Sequence, residues 1–88
     1  MDNFRLIYKI LTVYKNALWK EGVPFDALAT TDLGTSETHI RNIQMVLRNA
    51  DLIIGTNGET IITLAGLEYL EKNPQMIKIA SERMPYNY

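Results

Sequence analysis

The sequence predicts a mainly α domain with one small β-hairpin, its elements in the order α-α-α-β-β-α-α. Three observations lead there. Apolar residues recur with the helical period through Ile40, Ile43, Val46, Leu47 and Ala50. At Leu52 the pattern switches to two β-branched runs, Leu52-Ile53-Ile54 and Thr60-Ile61-Ile62-Thr63. Between them stands Asn57-Gly58, the dipeptide of a tight hairpin turn. A helix running directly into a two-stranded wing is the core of a winged helix-turn-helix, and residues 35–66 carry it.

The first helix is predicted over 3–20. Phe4, Ile7, Ile10, Leu11, Tyr14, Ala17 and Leu18 share one face, and Arg5, Lys9, Asn16 and Lys20 the other. That polar stripe is a solvated surface or, with a nucleic acid present, a set of secondary phosphate contacts, for which Arg5 and Lys9 are the candidates. Tyr8 and Trp19 border the apolar face, where core-edge packing is expected of them. Glu21-Gly22-Val23-Pro24 breaks the helix, and Pro24 fits the first position of the next one. Phe25, Leu28 and Ala29 give this second helix a short apolar stripe, with Asp26 in its opening turn. Residues 30–34 then form a turn, Leu33 tucked inward and Gly34 easing the chain round.

The third helix takes the recognition position of the motif. Thr35 or Ser36 caps its start, and Glu37 meets the positive end of its dipole. The apolar arc named above faces the core. Glu37, Thr38, Arg41, Asn42, Met45, Arg48 and Asn49 fall on the opposite arc. Asp51 stands where a residue of positive φ closes a helix, a place that Gly fills most easily and that Asn and Asp tolerate. After the wing, Thr63 caps a fourth helix over 64–72. Its core residues are Leu64, Leu67 and Leu70, and Gly66 permits close backbone packing. Asn73 caps a fifth helix with Pro74 at its first position. Met76, Ile77, Ala80 and Met84 form its apolar side, and 85–88 make a short tail.

Two segments carry a family resemblance. ITLAGLEYLEKNPQM, residues 62–76, resembles the C-terminal segment of the YjcQ family, and MDNFRLIYKILTVYKN is similar to that family's opening helix. The family comprises small winged-helix proteins of Gram-positive bacteria and their prophages. Thr63-x-x-Gly66 followed by Tyr69-Leu70 resembles a pattern of many bacterial winged-helix regulators. Arg48-Asn49-Ala50-Asp51-Leu52-Ile53 resembles the E-A-G-L-I junction of those regulators, with Asp51 in place of the usual Gly. The resemblance implies the winged-helix fold and a broad expectation of DNA binding, and it implies no established biochemical activity.

Composition bounds the function. The 88 residues suit one domain over 1–88, and 47% apolar content is ordinary for a globular chain. With no cysteine there is neither disulfide nor thiolate chemistry, which fits a cytoplasmic protein. The opening residues read as an amphipathic helix rather than a secretory signal, and no apolar run suggests a membrane span. His39 is the one histidine, and a boundary surface position is expected for it. No His, Asp and Glu set has metal-ligand spacing, and no Gly-rich phosphate loop is present. An enzyme is therefore not expected, nor a metal or cofactor.

Two readings of the exposed third-helix face follow. In the first, it binds double-stranded DNA as a regulatory, phage-related protein. Arg41 and Arg48 address guanine edges or phosphates, Asn42 addresses adenine, Thr38 donates to a phosphate and Met45 meets a thymine methyl. A homodimer would suit this, because one small module buries little DNA surface. In the second, the face binds a protein partner through Met45. Glu37 and Arg41 are spaced for an ion pair that would occupy one arginine. The formal net charge is −1. Residues 1–20 hold four basic residues and one acid, whereas 51–63 hold two acids and no base. DNA would therefore approach across the first and third helices rather than the wing.

Overall fold

The computed structural model describes residues 2–19, 23–24, 28–56 and 59–83. Its elements are α1 (Asn3–Asn16), β1 (Val23–Pro24), α2 (Thr30–Leu33), α3 (Glu37–Asn49), β2 (Ile53–Thr56), β3 (Glu59–Ile62), α4 (Leu64–Lys72) and α5 (Pro74–Arg83). The winged helix-turn-helix is present, with five helices among the described residues and a short strand, β1, added between the first two. The turn residues Asn57 and Gly58 lie outside the described residues, as do Lys20 to Gly22, Phe25, Asp26 and the stretch 84–88.

α1 is the post on which the other elements hang. It packs against α2, α3, α4, α5 and β3, and Leu6, Ile10 and Leu11 are fully buried. Asp2 starts it, accepting the Arg5 backbone N–H on its carboxylate at 2.8 Å. The helix closes at Asn16, four residues short of the sequence expectation. Beyond that point Leu18 and Trp19 leave the helical progression. Trp19 is 82% exposed and Leu18 44%, so neither packs at the core edge. At the other end Leu6 is buried and Phe4 is exposed, which turns the apolar face slightly from the expected arc.

Pro24 corrects a second expectation. It does not start a helix but lies in β1, an edge strand pairing antiparallel with β3 through Val23↔Thr60 and Pro24↔Glu59. The sheet is therefore three-stranded, in the order β1-β3-β2. The same fixed φ that suits a first helical turn is tolerated on a sheet edge, where the missing N–H leaves no ladder bond broken. The second helix begins only at Thr30, with Ala29 extended before it and Leu28 half-buried against the core. Residues 30–33, read as a turn, form α2 itself. Leu33 is buried as expected, and Gly34 closes α2 at φ 73°.

The junction after α3 is built from backbone. Asp51 has φ 61°, the one positive φ at a non-glycine among the described residues. Its N–H bonds the Arg48 carbonyl at 3.0 Å, and the Leu52 N–H bonds the Leu47 carbonyl at 2.9 Å. This pair of reversed bonds satisfies the last carbonyls of the helix and turns the chain into β2. Thr63 then ties the junction to α4. Its hydroxyl donates to the Asp51 carbonyl at 2.6 Å and accepts from the Gly66 N–H at 3.0 Å. Any Cβ on Gly66 would collide with the Leu52 carbonyl oxygen and the Ile62 side chain. The Thr63-x-x-Gly66 spacing thus caps one helix while letting it press on the end of another.

The last helices follow their caps. The Asn73 side chain accepts from the Gln75 and Met76 N–H groups at 2.9 and 3.3 Å. Leu64 and Ile77, expected in the core, are exposed. In α4 the core contacts include Leu67, Tyr69 and Leu70, and in α5 Met76 and Ile79. No helix among the described residues is long and apolar enough to cross a membrane.

Candidate nucleic-acid interface

α3 begins where Ser36 accepts the His39 backbone N–H on its hydroxyl at 3.2 Å, with Glu37 in the first turn. Its inner face is Ile40, Ile43, Gln44 and Leu47. Val46 and Ala50, expected on that face, are exposed, Val46 at 53%. At 100° per residue the buried arc is turned about 45° from the expected one. The cause is Gln44, which is only 2% exposed. Its amide donates to the Tyr14 hydroxyl at 2.8 Å, and that hydroxyl also bonds Thr60 of β3. A glutamine with a buried partner is accepted in the core. Burial raises the Tyr14 pKa, and the bonds to Gln44 and Thr60 pull it part of the way back.

The rotation redefines the outer face. Thr38, Asn42, Met45 and Asn49 run along its middle, all exposed, with Val46 beside them. Arg41 and Arg48 stand together at one margin. Arg41 is paired with Glu37 at 3.2 Å, the expected i,i+4 contact. Both groups are exposed, so the pair contributes only about 0.3–0.5 kcal/mol and yields readily to a phosphate.

Arg48 reaches the wing. Its guanidinium donates to the Gly55 carbonyl at 2.6 Å. The ladder phase explains why that oxygen is accessible. The Thr63 N–H bonds the Leu52 carbonyl at 3.1 Å, so 52 and 63 are a hydrogen-bonded pair. Alternation along Ile53↔Ile62, Ile54↔Ile61, Gly55↔Thr60 and Thr56↔Glu59 then turns the polar groups of Ile53 and Gly55 outward. Arg48 therefore covers part of the free edge of β2 and braces the wing against α3. Both sheet edges are guarded, one by this guanidinium and the other by the N–H that Pro24 lacks.

The opposite margin of α3 meets α1. His39 is held at both ring nitrogens, Nδ1 by the Thr35 hydroxyl and Nε2 by the Asn3 side-chain oxygen, each at 2.8 Å. It is a half-buried clasp between helices, consistent with the boundary position expected of it. The outer face of α3 is thus framed by the wing on one side and the start of α1 on the other.

The two secondary candidates lie on α1, and their settings differ. Arg5 bridges Asp2 at 2.7 Å and Glu82 of α5 at 2.6 Å. Its pKa is raised chiefly by the bond to Asp2, then by Glu82. The Asp2 carboxyl is lowered by the Arg5 backbone N–H and then by its guanidinium. Lys9 is half-buried and lines a cleft with Tyr8, Thr12, Val13 and Asp32. Of the seven sequence-predicted residues, α3 gathers Thr38, Arg41, Asn42, Met45 and Arg48 on one exposed arc, whereas Arg5 and Lys9 stand apart from it on α1. Val46 was missed because its spacing fits an apolar arc. Gln44 completes the true arc at i+4 from Ile40 and three residues before Leu47, but its polar side chain gives no apolar signal there.

Among the described residues no three His, Cys, Asp or Glu side chains are placed to hold a metal ion. No protein-family model matches the chain, and no curated protein or solved structure matches it.

Proposed function

We propose that this chain is a winged-helix DNA-binding protein, a small cytoplasmic regulator of the phage-related kind that the resemblance of its two ends implies. The supporting observation is the outer face of α3. It spends nothing on the core, stands exposed between the wing and the start of α1, and carries hydrogen-bonding and methyl-bearing side chains suited to base edges. Arg41 at its margin meets a phosphate by exchanging Glu37 for it. Arg48 stays exposed at the same margin while it holds the wing in place. The role is binding rather than catalysis, since the single histidine is engaged in structural bonds at both nitrogens.

Electrostatics make this a weak, salt-tolerant binder as a monomer. Arg5 is neutralised by two carboxylates, and the wing strand β3 opens on Glu59. Few phosphates are then neutralised, and pairing of two copies on adjacent half-sites supplies the missing affinity.

A second reading is favoured by one observation. Ile54 and Ile61 face each other across the outer side of the wing, both about half exposed, and Met45 and Val46 are exposed on α3. A protein partner would cover such a surface. A binding selection from random duplex DNA at low salt separates the readings. Enrichment of a common sequence supports DNA binding. A pool that stays unselected and unretained favours the protein module.

A further inference from the structure

Asn42, Met45, Val46 and Asn49 stand at i, i+3, i+4 and i+7 on α3, and all four are exposed. We infer that this stripe reads A·T base pairs in the major groove, an inference that rests on the DNA-binding reading above. Among the described residues neither asparagine amide has a hydrogen-bond partner, so both are available to a ligand. A carboxamide matches adenine, donating to N7 and accepting from the N6 amino group, which no other base edge offers in that order. The Met45 and Val46 side chains present methyl groups, the complement of the thymine C5 methyl. The stripe thus alternates the two chemistries that distinguish A·T from G·C.

Guanine is best read by an arginine aimed at O6 and N7. Both arginines of α3 stand at the margin instead. Arg41 is paired with Glu37, and Arg48 is bonded to the Gly55 carbonyl. The middle of the face carries no charge. From Asn42 to Asn49 the helix rises about 10 Å, which spans roughly three base steps. The site read by one copy is therefore short.

The test uses three labelled duplexes of equal length, one of A·T pairs only, one of G·C pairs only and one of mixed sequence, bound to the full chain at low salt. The A·T duplex binds about tenfold or more tightly than the G·C duplex. Replacing adenine by 7-deazaadenine removes N7, and replacing thymine by uracil removes the methyl. Both changes alter only the major-groove edge, and both weaken binding. Asn42→Ala and Asn49→Ala each bring the A·T to G·C ratio toward one with the helical circular dichroism unchanged, since alanine raises helix propensity at these exposed positions. Equal affinity for the two compositions overturns the inference. So does an A·T preference that survives both base replacements, which would mean that the minor groove is being read. If no duplex of any composition binds, the DNA-binding reading fails and takes this inference with it.

Discussion

Asp51 sits at φ 61° because the chain must reverse from α3 into β2 within two residues. The sequence announces this position by its place after the last helical turn, and the backbone bonds of Asp51 and Leu52 supply the reason. No side-chain contact of Asp51 is needed for them. Asp51→Gly is therefore expected to be neutral or stabilising by up to about 1 kcal/mol, since relief of the left-handed strain offsets the added chain entropy. A clear fall of the denaturant midpoint would argue against this. Gln44 is the residue the sequence hid. A glutamine is polar by type, and its bond to the Tyr14 hydroxyl across the core helps make its burial acceptable. No pattern on α3 alone contains that information. Tyr14→Phe leaves the Gln44 amide short of a buried partner and should cost about 1–3 kcal/mol, whereas adding Gln44→Leu should recover much of the loss. A double variant as unstable as the sum of the two singles would contradict the pairing. Burial also raises the Tyr14 pKa above its ordinary 10.0. Its contribution to stability is then complete below that value and is lost as pH rises through the higher folded one. Chemical denaturation from pH 8 upward should show stability falling above about pH 10, and Tyr14→Phe should remove part of that fall.

At the scale of elements, α1, α3, α4, α5 and the wing were legible because each carries its own signal, whereas α2 stands on residues that read as a turn. Ser36, Thr63 and Asn73 cap where their types say they should, and the period changes at Leu52. β1 was not legible. A two-residue strand has no period, and Val23-Pro24 fits a helix start as well as a sheet edge. Its partner β3 decides, and that pairing is long-range. The outward turn of Val46 was hidden for the same reason, since the contact of Gln44 with Tyr14 on α1 sets it. Arg48 belongs to this scale too. Its spacing from Arg41 reads as a recognition stripe, yet its guanidinium is bonded to the wing. Arg48→Met should loosen β2 and β3 while leaving α1, α4 and α5 intact. Amide hydrogen exchange would show faster exchange confined to the wing, with global stability lower by at most about 1 kcal/mol, as befits an exposed bond. Unchanged protection of the wing amides would count against the brace.

For the whole molecule, the organising element differs from the one the sequence emphasises. The stretch 35–66 declares the fold class, but α1 holds the core by touching every other helix. That division leaves α3 with a narrow inner face and a wide free one. The charge ledger explains why DNA binding, if mediated by this face, depends on few ionic contacts. Met45 and Arg41 then report on different physics. Neither side chain fills the core, so Met45→Ala and Arg41→Ala should melt like the parent. The most direct test of α3 as a DNA-reading helix is the affinity of the parent and these two variants for a selected duplex across a salt series. The account predicts detectable binding at low salt, a shallow slope of log affinity against log salt, and a loss of about one unit of that slope in Arg41→Ala. It is contradicted if duplex DNA goes unbound at low salt, or if both variants bind with the affinity and salt slope of the parent.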